Sequence, residues 1–449
     1  MSAGDVEGFA IDPTKVRAWK RYPAYKDSGV EWLGEVPAGW ELVRLKYAVR
    51  MITQRTTDQN SNSNYIGLEN IESWTGRLIA GEDALDPEGQ SGSFESGDVL
   101  FGKLRPYLAK VHKATVDGIC STEILVLRPK LVSQDYLFYY LLNAEFIKTV
   151  NSSTYGTKMP RANWDFIGNL LIPDISLHDQ SVIAAFLDRE TARIDALIEK
   201  KHRFIELLEE KRQALISHAV MKGLDPDVEM KDSEVEWLGE VPVHWAIKRL
   251  KTISPRISGR LVYSPAQYFC ENGVPFLFGT NVTEEGISLK DTKFIPHEVN
   301  ERFKHHALRE GDLVMVRVGA PGLTTVVPTE ADGLNCASMM IIRRDLSFNS
   351  RWLAFALNSR IGKTQVDITT YGAAQVQINI SDAVNFMIPT PPLDEQNRIV
   401  DYLDQRIFKI SSIVSLINTN VERLQEYRTA LISAAIIGKI DVRSKTEAT

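Results

Sequence analysis

The chain has 449 residues, a formal net charge of −6 at pH 7, and 44% hydrophobic and 24% charged residues. These are ordinary values for a soluble globular protein, and the length predicts roughly two to four domains. The three cysteines lie far apart with no Cys/His ligand spacing, which argues against a zinc site and fits a reducing cytoplasm. The first residues lack the apolar core of a signal peptide, and no apolar run approaches the ~18 residues of a membrane span.

The overall acidity argues mildly against nucleic-acid binding, but the charges are unevenly distributed. Basic residues cluster between Lys103 and Lys113 and again between Lys248 and Arg260. Acidic residues collect elsewhere, for example between Glu82 and Glu88. An acidic chain with basic clusters of this kind is compatible with one DNA-binding face.

An internal repeat dominates the sequence. Residues 26–37 read KDSGVEWLGEVP and residues 231–242 read KDSEVEWLGEVP, with Trp32 and Trp237 separated by 205 residues. The similarity continues to the C-terminal part of the chain, where Cys120 and Cys336 are 216 residues apart. The chain therefore consists of two copies of one unit of roughly 200 residues, with about eleven residues inserted in the second copy.

Each copy begins with a part that has the pattern of a mixed α/β domain. Short β-like runs such as DVLFGK, EILVLRP, DLVMVRV and SMMIIRR alternate with turns, and helical stretches follow around 136–150 and 350–364. The copies agree at their edges and differ in their middles, 50–95 against 255–309. This is the pattern expected of a shared scaffold with two different contact surfaces.

Each copy ends in a long segment without internal proline or glycine, 180–222 and 396–437, followed by Gly223 and Gly438 as plausible helix stops. Apolar residues recur at three- and four-residue steps, a pattern that predicts two helices of ~60 Å with a coiled-coil-like seam. Phe204 is one of the residues expected in this seam. The two helices are expected to pack antiparallel and to act as a spacer, although plain core helices would give a similar pattern. Polar seam positions at Lys201 and Asn420 could fix the register or admit a helix from a partner. The candidate partner-binding residues are seam positions: Leu187, Ile194, Leu208, Ile410, Ile417 and Leu424.

The predicted fold is α+β (mixed α/β), with two repeated globular domains separated by the two long helices and related by a pseudo-twofold axis. The first globular domain is expected over 1–178 and the second over 224–393. The central helix is expected over 179–223, the C-terminal helix over 394–440, and a tail over 441–449.

The repeated motifs resemble those of the specificity subunits of type I restriction-modification systems. They are the doubled WLGEVPxxW (Trp32 to Trp40 and Trp237 to Trp245), the doubled GD(V/L) at Gly97 and Gly311, the doubled TYG, and IPTPPLDEQNRIVDYLD over 388–404. The resemblance covers essentially the whole chain. The first copy departs from the PPLxEQ pattern, reading ISLHDQ over 175–180.

This resemblance implies a non-catalytic, DNA-binding subunit. Each globular domain would be a target-recognition domain that reads one half of a bipartite, asymmetric double-stranded DNA site, and the helices would fix the gap between the halves. Two modification (methyltransferase) subunits would methylate adenine N6 with S-adenosylmethionine. Restriction (motor-nuclease) subunits would cleave with ATP and Mg²⁺. The chain itself would bind no cofactor or metal, and the complex would work in the cytoplasm.

Two loops in each copy carry the candidate DNA contacts, one after the GD strand and one after TYG. Arg and Gln suit guanine and adenine edges, and Lys suits phosphates, although each of these side chains could also belong to a solvated face. Tyr155 and Tyr371 could stack or pack in a core, and the doubled tryptophans are expected to be packing anchors. The candidates are Lys103, Arg105, Tyr107, Lys110, Tyr155, Thr157, Lys158 and Arg161 in the first copy and Arg317, Tyr371, Gln375 and Gln377 in the second.

Enzyme interpretations find no support in the motifs. Pro391-Pro392-Leu393 is not the (N/D/S)PP(Y/F) of an amino-methyltransferase, and Gly362-Lys363-Thr364 lacks the first glycine of a phosphate-binding loop. Two other functions stay open at this point. One is a stand-alone DNA-binding regulator, which needs no partner surface, and the other is an adaptor that binds only proteins.

If the helices set the gap, deleting a turn or two from both should change the spacing of the recognised site and leave both half-sites intact. Mapping the methylated motif of the variant complex measures this. A changed half-site would contradict the spacer role.

Overall fold

The fold is seen in a computed structural model that describes residues 19–56, 64–79, 90–156, 158–258, 265–370 and 377–443. The contacts divide the chain into two compact units, the first from 1–202 and 417–449 and the second from 203–416. Each unit combines one globular part with about half of each long helix. Among the described residues, no helix is long and apolar enough to cross a membrane.

Among the described residues, the first unit contains strands β1–β12 and helices α1–α5. The strands are β1 Tyr25–Asp27, β2 Glu35–Pro37, β3 Glu41–Arg44, β4 Val49–Ile52, β5 Arg55–Thr56, β6 Asn64–Ile66, β7 Ser91–Phe94, β8 Val99–Gly102, β9 Val111–Lys113, β10 Gly118–Cys120, β11 Ile124–Pro129 and β12 Leu171–Asp174. The helices are α1 Leu45–Ala48, α2 Gln134–Leu141, α3 Ala144–Ser152, α4 Trp164–Ile167 and α5 Leu177–Lys222, which extends into the second unit.

The second unit contains the remaining strands and helices. The strands are β13 Met230–Asp232, β14 Glu240–Pro242, β15 Ala246–Arg249, β16 Ile257–Ser258, β17 Val274–Leu277, β18 Val282–Thr283, β19 Gly286–Ile287, β20 Lys293–Ile295, β21 Leu313–Val316, β22 Thr324–Val326, β23 Asn335–Cys336, β24 Met339–Ile342 and β25 Met387–Thr390. The helices are α6 Leu250–Ile253, α7 His297–Arg302, α8 Ser350–Asn358, α9 Arg360–Thr370, α10 Ile380–Ala383 and α11 Leu393–Ile436, whose last part belongs to the first unit.

The sheets reproduce the sequence repeat. The four-stranded sheet β4-β11-β8-β9 of the first unit has its counterpart in β16-β24-β21-β22 of the second. The pairs β1-β2 and β3-β12 likewise correspond to β13-β14 and β15-β25. A further sheet, β5-β7-β10-β6 in the first unit and β20-β17-β23 in the second, keeps only one equivalent parallel pair, β6-β10 and β17-β23. The second unit also adds the hairpin β18-β19. The predicted mixed fold with two globular parts is confirmed, and the copies differ where their sequences diverge.

The doubled GD motif begins the central strand of the main sheet in each unit. Gly97 and Gly311 have φ of 96° and 82°, a backbone conformation that glycine adopts without strain. The following Asp98 is buried, and both of its oxygens accept hydrogen bonds from the Arg128 guanidinium, at 2.8 and 3.0 Å. This bond raises the pKa of Arg128. Asp312 is also bound at both oxygens, with Oδ2 accepting from Arg343 Nη1 and Oδ1 from the Arg344 backbone N–H.

A buried glutamine joins the start of each long helix to its globular part. Gln180 accepts a hydrogen bond from the Ser133 backbone N–H at 2.7 Å and donates to the carbonyl of Ile175 at 2.9 Å. Gln396 makes the matching pair, accepting from Asn349 N–H at 2.8 Å and donating to Pro391 O at 2.9 Å. The departure of the first copy from the PPLxEQ pattern therefore leaves the glutamine anchor in place.

The two long helices match the predicted segments closely. They have 46 and 44 residues, and Gly223 and Gly438 follow them with positive φ, as helix-stop glycines do. In the first unit, Asp195 of α5 pairs with Arg428 of α11, and Asp179 lies 3.9 Å from Arg443 beyond its end, so the helix halves run antiparallel there.

The prediction that Phe204 lies in the seam is wrong. Phe204 is 47% exposed, whereas Lys201 and Leu208 are buried and Ile205 is half-buried. Because the 3.6-residue period of a straight helix drifts against a strict seven-residue repeat, the buried stripe passes beside Phe204.

The doubled tryptophans are packing residues, as the sequence predicts. Trp40 and Trp245 are buried in the cores of their units, and Trp32 and Trp237 pack against the same cores. The Trp245 indole N–H also donates to Glu395 at 3.1 Å, which joins the globular part to the first turn of α11.

Replacing Asp98 by Ala should lower the free energy of unfolding by about 2–3 kcal/mol, because the charged Arg128 and the Glu95 N–H lose their buried acceptor. Urea denaturation measures the change. Glu95→Ala is the matched control: Glu95 pairs with the same arginine but is largely exposed, so its loss should cost no more than about 0.5 kcal/mol. Equal effects of the two substitutions would contradict the structural role of the GD motif.

Candidate nucleic-acid interface

The two loops that the sequence singles out lie side by side in the first unit. The Arg105 N–H donates to Pro160 O at 2.8 Å, and the Ala162 N–H donates to Lys103 O at 2.9 Å. Leu104 and Arg161 form a β-bridge between these bonds. Residues more than fifty positions apart in sequence are therefore held at backbone hydrogen-bond distance.

The second unit repeats this arrangement. Val318 forms a β-bridge with Gln377, and the Ile378 N–H donates to Arg317 O at 3.1 Å. The Arg317 Nε donates back to Ile378 O at 3.0 Å. We call the two adjoining loops the paired loops: 103–110 with 155–156 and 158–161 in the first unit, and 317–323 with the described residues from Gln377 in the second.

A groove of about 370 Å³ opens beside the paired loops of the first unit. Its walls are mostly polar, and they combine cationic side chains with an exposed aromatic ring. They include Gln54, Arg55, Lys103, Tyr155 and Arg161. This combination suits a polyanion whose bases can be stacked or hydrogen-bonded.

Four of the candidates in the first unit are exposed on the paired loops, and of these Tyr155 lines the groove. Tyr155 is 66% exposed, so packing in a core is excluded for it, and Tyr107 is also exposed. Arg105 and Lys158 are exposed, and Arg105 Nη2 lies 3.4 Å from Lys158 O. Arg105 has a φ of 51°, an uncommon left-handed conformation, and its backbone N–H is held by Pro160.

Two other candidates are engaged within the protein. The Lys110 amine donates to Leu68 O at 2.6 Å and to Ile71 O at 2.9 Å, and burial lowers its pKa. The Arg161 guanidinium binds both carboxylate oxygens of Glu123, at 3.2 and 3.1 Å, and this hydrogen bond raises its pKa. Their present contacts shape the loops, whereas Arg105 and Lys158 keep exposed charge and Lys103 is half-buried.

The second unit presents a smaller set of described candidates. Arg317 and Gln377 are half-buried at the paired loops. Thr157 of the first unit and Tyr371 and Gln375 of the second lie outside the described residues. The two units therefore carry different side chains on the same backbone frame.

The six seam residues proposed for partner binding are buried within the chain. Leu187, Ile194 and Leu424 belong to the core of the first unit, and Leu208, Ile410 and Ile417 are also at most 8% exposed. These side chains pack inside their units, so a protein that docks on the helices would contact other residues.

Sequence reasoning did not find Gln54 and Arg55, which line the groove directly after β4. The available signal was their position in the segment 50–95, where the two copies diverge. It was too broad to single out these two residues, because strand pairing with β7 brings them to the groove.

Known proteins similar to this chain belong to one system. Residues 37–207 match the family model described as "Type I restriction modification DNA specificity domain". The chain is 26% identical over 337 residues to the type I restriction enzyme MjaVIII specificity subunit of Methanocaldococcus jannaschii, covering 73% of this chain and 75% of that protein. It is 25% identical to the putative type I restriction enzyme MjaX specificity subunit of the same organism, covering 92% and 96%.

A solved structure shares the fold. It comes from work on complex assembly and conformational transition of the type I R-M system, and it superposes with a TM-score of 0.69 at 21% identity. The match covers 90% of this chain and 99% of the other. At this identity, the likeness extends to the fold.

Proposed function

Because the chain belongs to the family of type I restriction-modification specificity subunits, we propose that it reads a bipartite DNA site and directs partner enzymes to it. The observation that carries the proposal is the paired loops: the same backbone frame occurs in both units with different side chains. A site read by two unlike surfaces is asymmetric.

The chemistry of the paired loops supports different tasks for the two units. Lys103, Arg105 and Lys158 of the first unit can position the phosphate backbone, and Arg105 can also bind guanine O6 and N7. In the second unit, Gln377 suits adenine N6 and N7, and Arg317 supplies a cation. The chain as a whole stays acidic because only these faces need to attract DNA.

Two readers on one chain make a bivalent binder. Once one half-site is bound, the second unit meets its half-site at a high effective concentration, provided that the gap fits. Overall affinity can then exceed that of either reader by ~10²–10⁴-fold. This is the physical reason for keeping two similar but unequal units on long helices.

The long helices also offer apolar surface to partners. Phe204, Leu207, Phe408 and Leu416, all in the second unit, are exposed, Phe408 by 73%. Phe204 and Leu207 stand three residues apart on one face of α5, and exposed apolar side chains grouped in this way mark interaction surfaces. We place the two modification subunits on the helices, with S-adenosylmethionine bound by them, and the restriction subunits in the same assembly with ATP and Mg²⁺. In this proposal the chain itself is non-catalytic and works where chromosomal DNA is, in the bacterial or archaeal cytoplasm.

The proposal is tested by mapping N6-methyladenine in a strain that expresses the chain with its modification subunit and in a strain that lacks the chain. A two-part asymmetric motif that disappears with the gene is the expected result. Unchanged methylation, with the complex shown to be present, would favour the stand-alone regulator or the protein-only adaptor.

Removing an exposed cation of the paired loops should weaken DNA binding through the first half-site only. For Arg105→Asn, which keeps a residue tolerant of positive φ, we expect a loss of about 1–3 kcal/mol if it binds a base edge. If it binds a phosphate, the slope of log K against log[salt] should instead fall by about 0.9. Competition binding with duplexes altered in one half-site at several salt concentrations separates the two cases.

Lys148→Ala is the control, because Lys148 is an exposed cation of the same unit on α3. It should leave both the affinity and the salt slope unchanged. Equal losses for Arg105→Asn and Lys148→Ala would show that general charge, and not the paired loops, attracts the DNA.

A further inference from the structure

We propose that Arg428 and Arg212, which occupy equivalent positions in the two long helices, fix the orientation of the reading domains and so sharpen the gap length that the protein accepts. The inference rests on the proposed function. It assigns a positioning role to two residues that lie away from the paired loops.

Arg428 joins the helix pair of the first unit to a loop of the globular part. Its side chain is 8% exposed, its Nε donates to Asp195 Oδ1 at 2.9 Å, and its Nη1 donates to Trp74 O at 2.8 Å. The other oxygen of Asp195 accepts from Arg77 at 2.8 Å. One buried ion pair between α5 and α11 therefore holds the loop that contains Trp74 and Arg77 at both ends.

That loop is bonded directly to the reading surface. The Trp74 N–H donates to Ala109 O at 3.1 Å, and Ala109 belongs to the paired loops. The Lys110 amine binds Ile71 O, and a ring nitrogen of His112 lies 2.8 Å from Gly76 O. The path from Arg428 to the paired loops thus crosses a single residue, Trp74.

Trp74 is held in an unusual backbone conformation, with a φ of 66°. Such a conformation is strained in a bulky residue and persists where the surroundings determine it. Here the surroundings are two hydrogen bonds, one on each side of the residue: its carbonyl accepts from Arg428 and its N–H donates to Ala109.

The surroundings of Arg428 exclude a direct role in binding DNA. It borders an open groove whose lining is rich in carboxylates, including Glu72, Glu145, Glu199 and Glu422. A phosphate would be repelled there, and the guanidinium is already bonded to Asp195 and Trp74. The positive charge of Arg428 is therefore paired within the protein, with Asp195.

Arg212 makes the corresponding connection between helix and globular part in the second unit. It lies 216 residues before Arg428, the offset of the repeat, and both arginines stand two residues before the sequence ALIS. Its guanidinium lies 3.6 Å from Glu284 and 3.4 Å from Glu209, and the neighbouring Gln213 also reaches Glu284. Glu284 is in the turn between β18 and β19.

The β18–β19 hairpin leads to the reading surface of the second unit. Both strands lie against β22, which follows the loop that begins at Arg317. Glu284 also lines one small cavity together with Pro321 and Leu323. The second connection is looser, because the distance to Glu284 is longer and Arg212 Nε has no hydrogen-bond partner among the described residues.

Fixing the domain on the helices matters for a bivalent binder. If a domain tilts so that its paired loops move by a few ångströms, the protein can bind sites whose gaps differ by one base pair, because a base pair is ~3.4 Å along the duplex. Looser orientation lowers the effective concentration at the correct gap and raises it at neighbouring gaps. The expected signature is a broader gap preference with unchanged half-site sequences.

The test uses the full chain in complex with its modification subunits and a series of duplexes that carry both half-sites with gaps from two base pairs too short to two too long. Wild type should show one sharp optimum. Arg428→Ala should bind the optimal duplex ~10-fold more weakly and lose discrimination against gaps one base pair off. Arg212→Ala should show the same change with a smaller amplitude.

Two milder variants protect the test against simple unfolding. Arg428→Lys keeps the charge but not the fork that reaches Asp195 and Trp74 O together, so it should broaden the optimum in part. Arg77→Ala removes an exposed partner of Asp195 and should act in the same direction. Arg423→Ala, an exposed arginine on the same helix, is the matched control and should behave as wild type.

The outcomes separate the inference from the function on which it rests. The positioning role is overturned if Arg428→Ala keeps the sharp optimum. It is also overturned if Arg428→Ala binds the duplexes of every gap more weakly by the same factor, and that factor matches the loss of folded protein. Absence of any bipartite optimum in the wild-type complex overturns the proposed function instead.

Discussion

The structure depends on covering the apolar stripe of a 46-residue helix. Left exposed to water, such a stripe would cost about 1.5–3 kcal/mol for each Leu or Ile side chain, at roughly 25 cal/mol per Å² of apolar surface. The cover comes from the matching helix of the other repeat, because each unit takes one half of α5 and one half of α11. The first unit therefore includes residues from the C-terminal end of the chain, whereas the second unit is one continuous stretch, 203–416.

The polar residues of each unit fall into two groups, those that hydrogen-bond within the fold and those that remain exposed to bind DNA. Asp98 with Arg128, Gln180 and Lys110 are engaged in hydrogen bonds that fix strands, helix starts and loops. Arg105, Tyr155 and Lys158 stay exposed at the paired loops. The same division explains how a chain of net charge −6 can present cations to DNA.

Much of this organisation could be predicted because it repeats. The doubled motifs located the GD strands, the helix starts and the two loops in each copy, and the periodicity gave both long helices to within a few residues. The misplacement of Phe204 came from extending a strict seam along a straight helix. The pairing of the two loops with each other is a long-range contact that no local pattern specifies.

The residues that sequence reasoning missed share one property: their role depends on contacts across the fold. In the sequence, Arg428 is one of many charged helix residues, and only the structure shows that it binds Asp195 and Trp74. Gln54 and Arg55 read as part of a variable segment until β5 pairs with β7. Lys110 was a candidate contact by its charge, yet its amine is bound to backbone carbonyls. Burial and partners, which a single sequence does not give, decide these cases.

The central claim is that the paired loops of each unit touch one half-site, and site-directed photocrosslinking tests it most directly. A photoreactive phenylalanine analogue would replace Tyr155, and in a separate variant the highly exposed Leu346 as a reference, in the full complex with duplex DNA carrying both half-sites. We predict a strong crosslink from position 155 that maps within one half-site. A crosslink from 155 to the other half-site, to the gap alone, or no stronger than that from 346 would contradict the account.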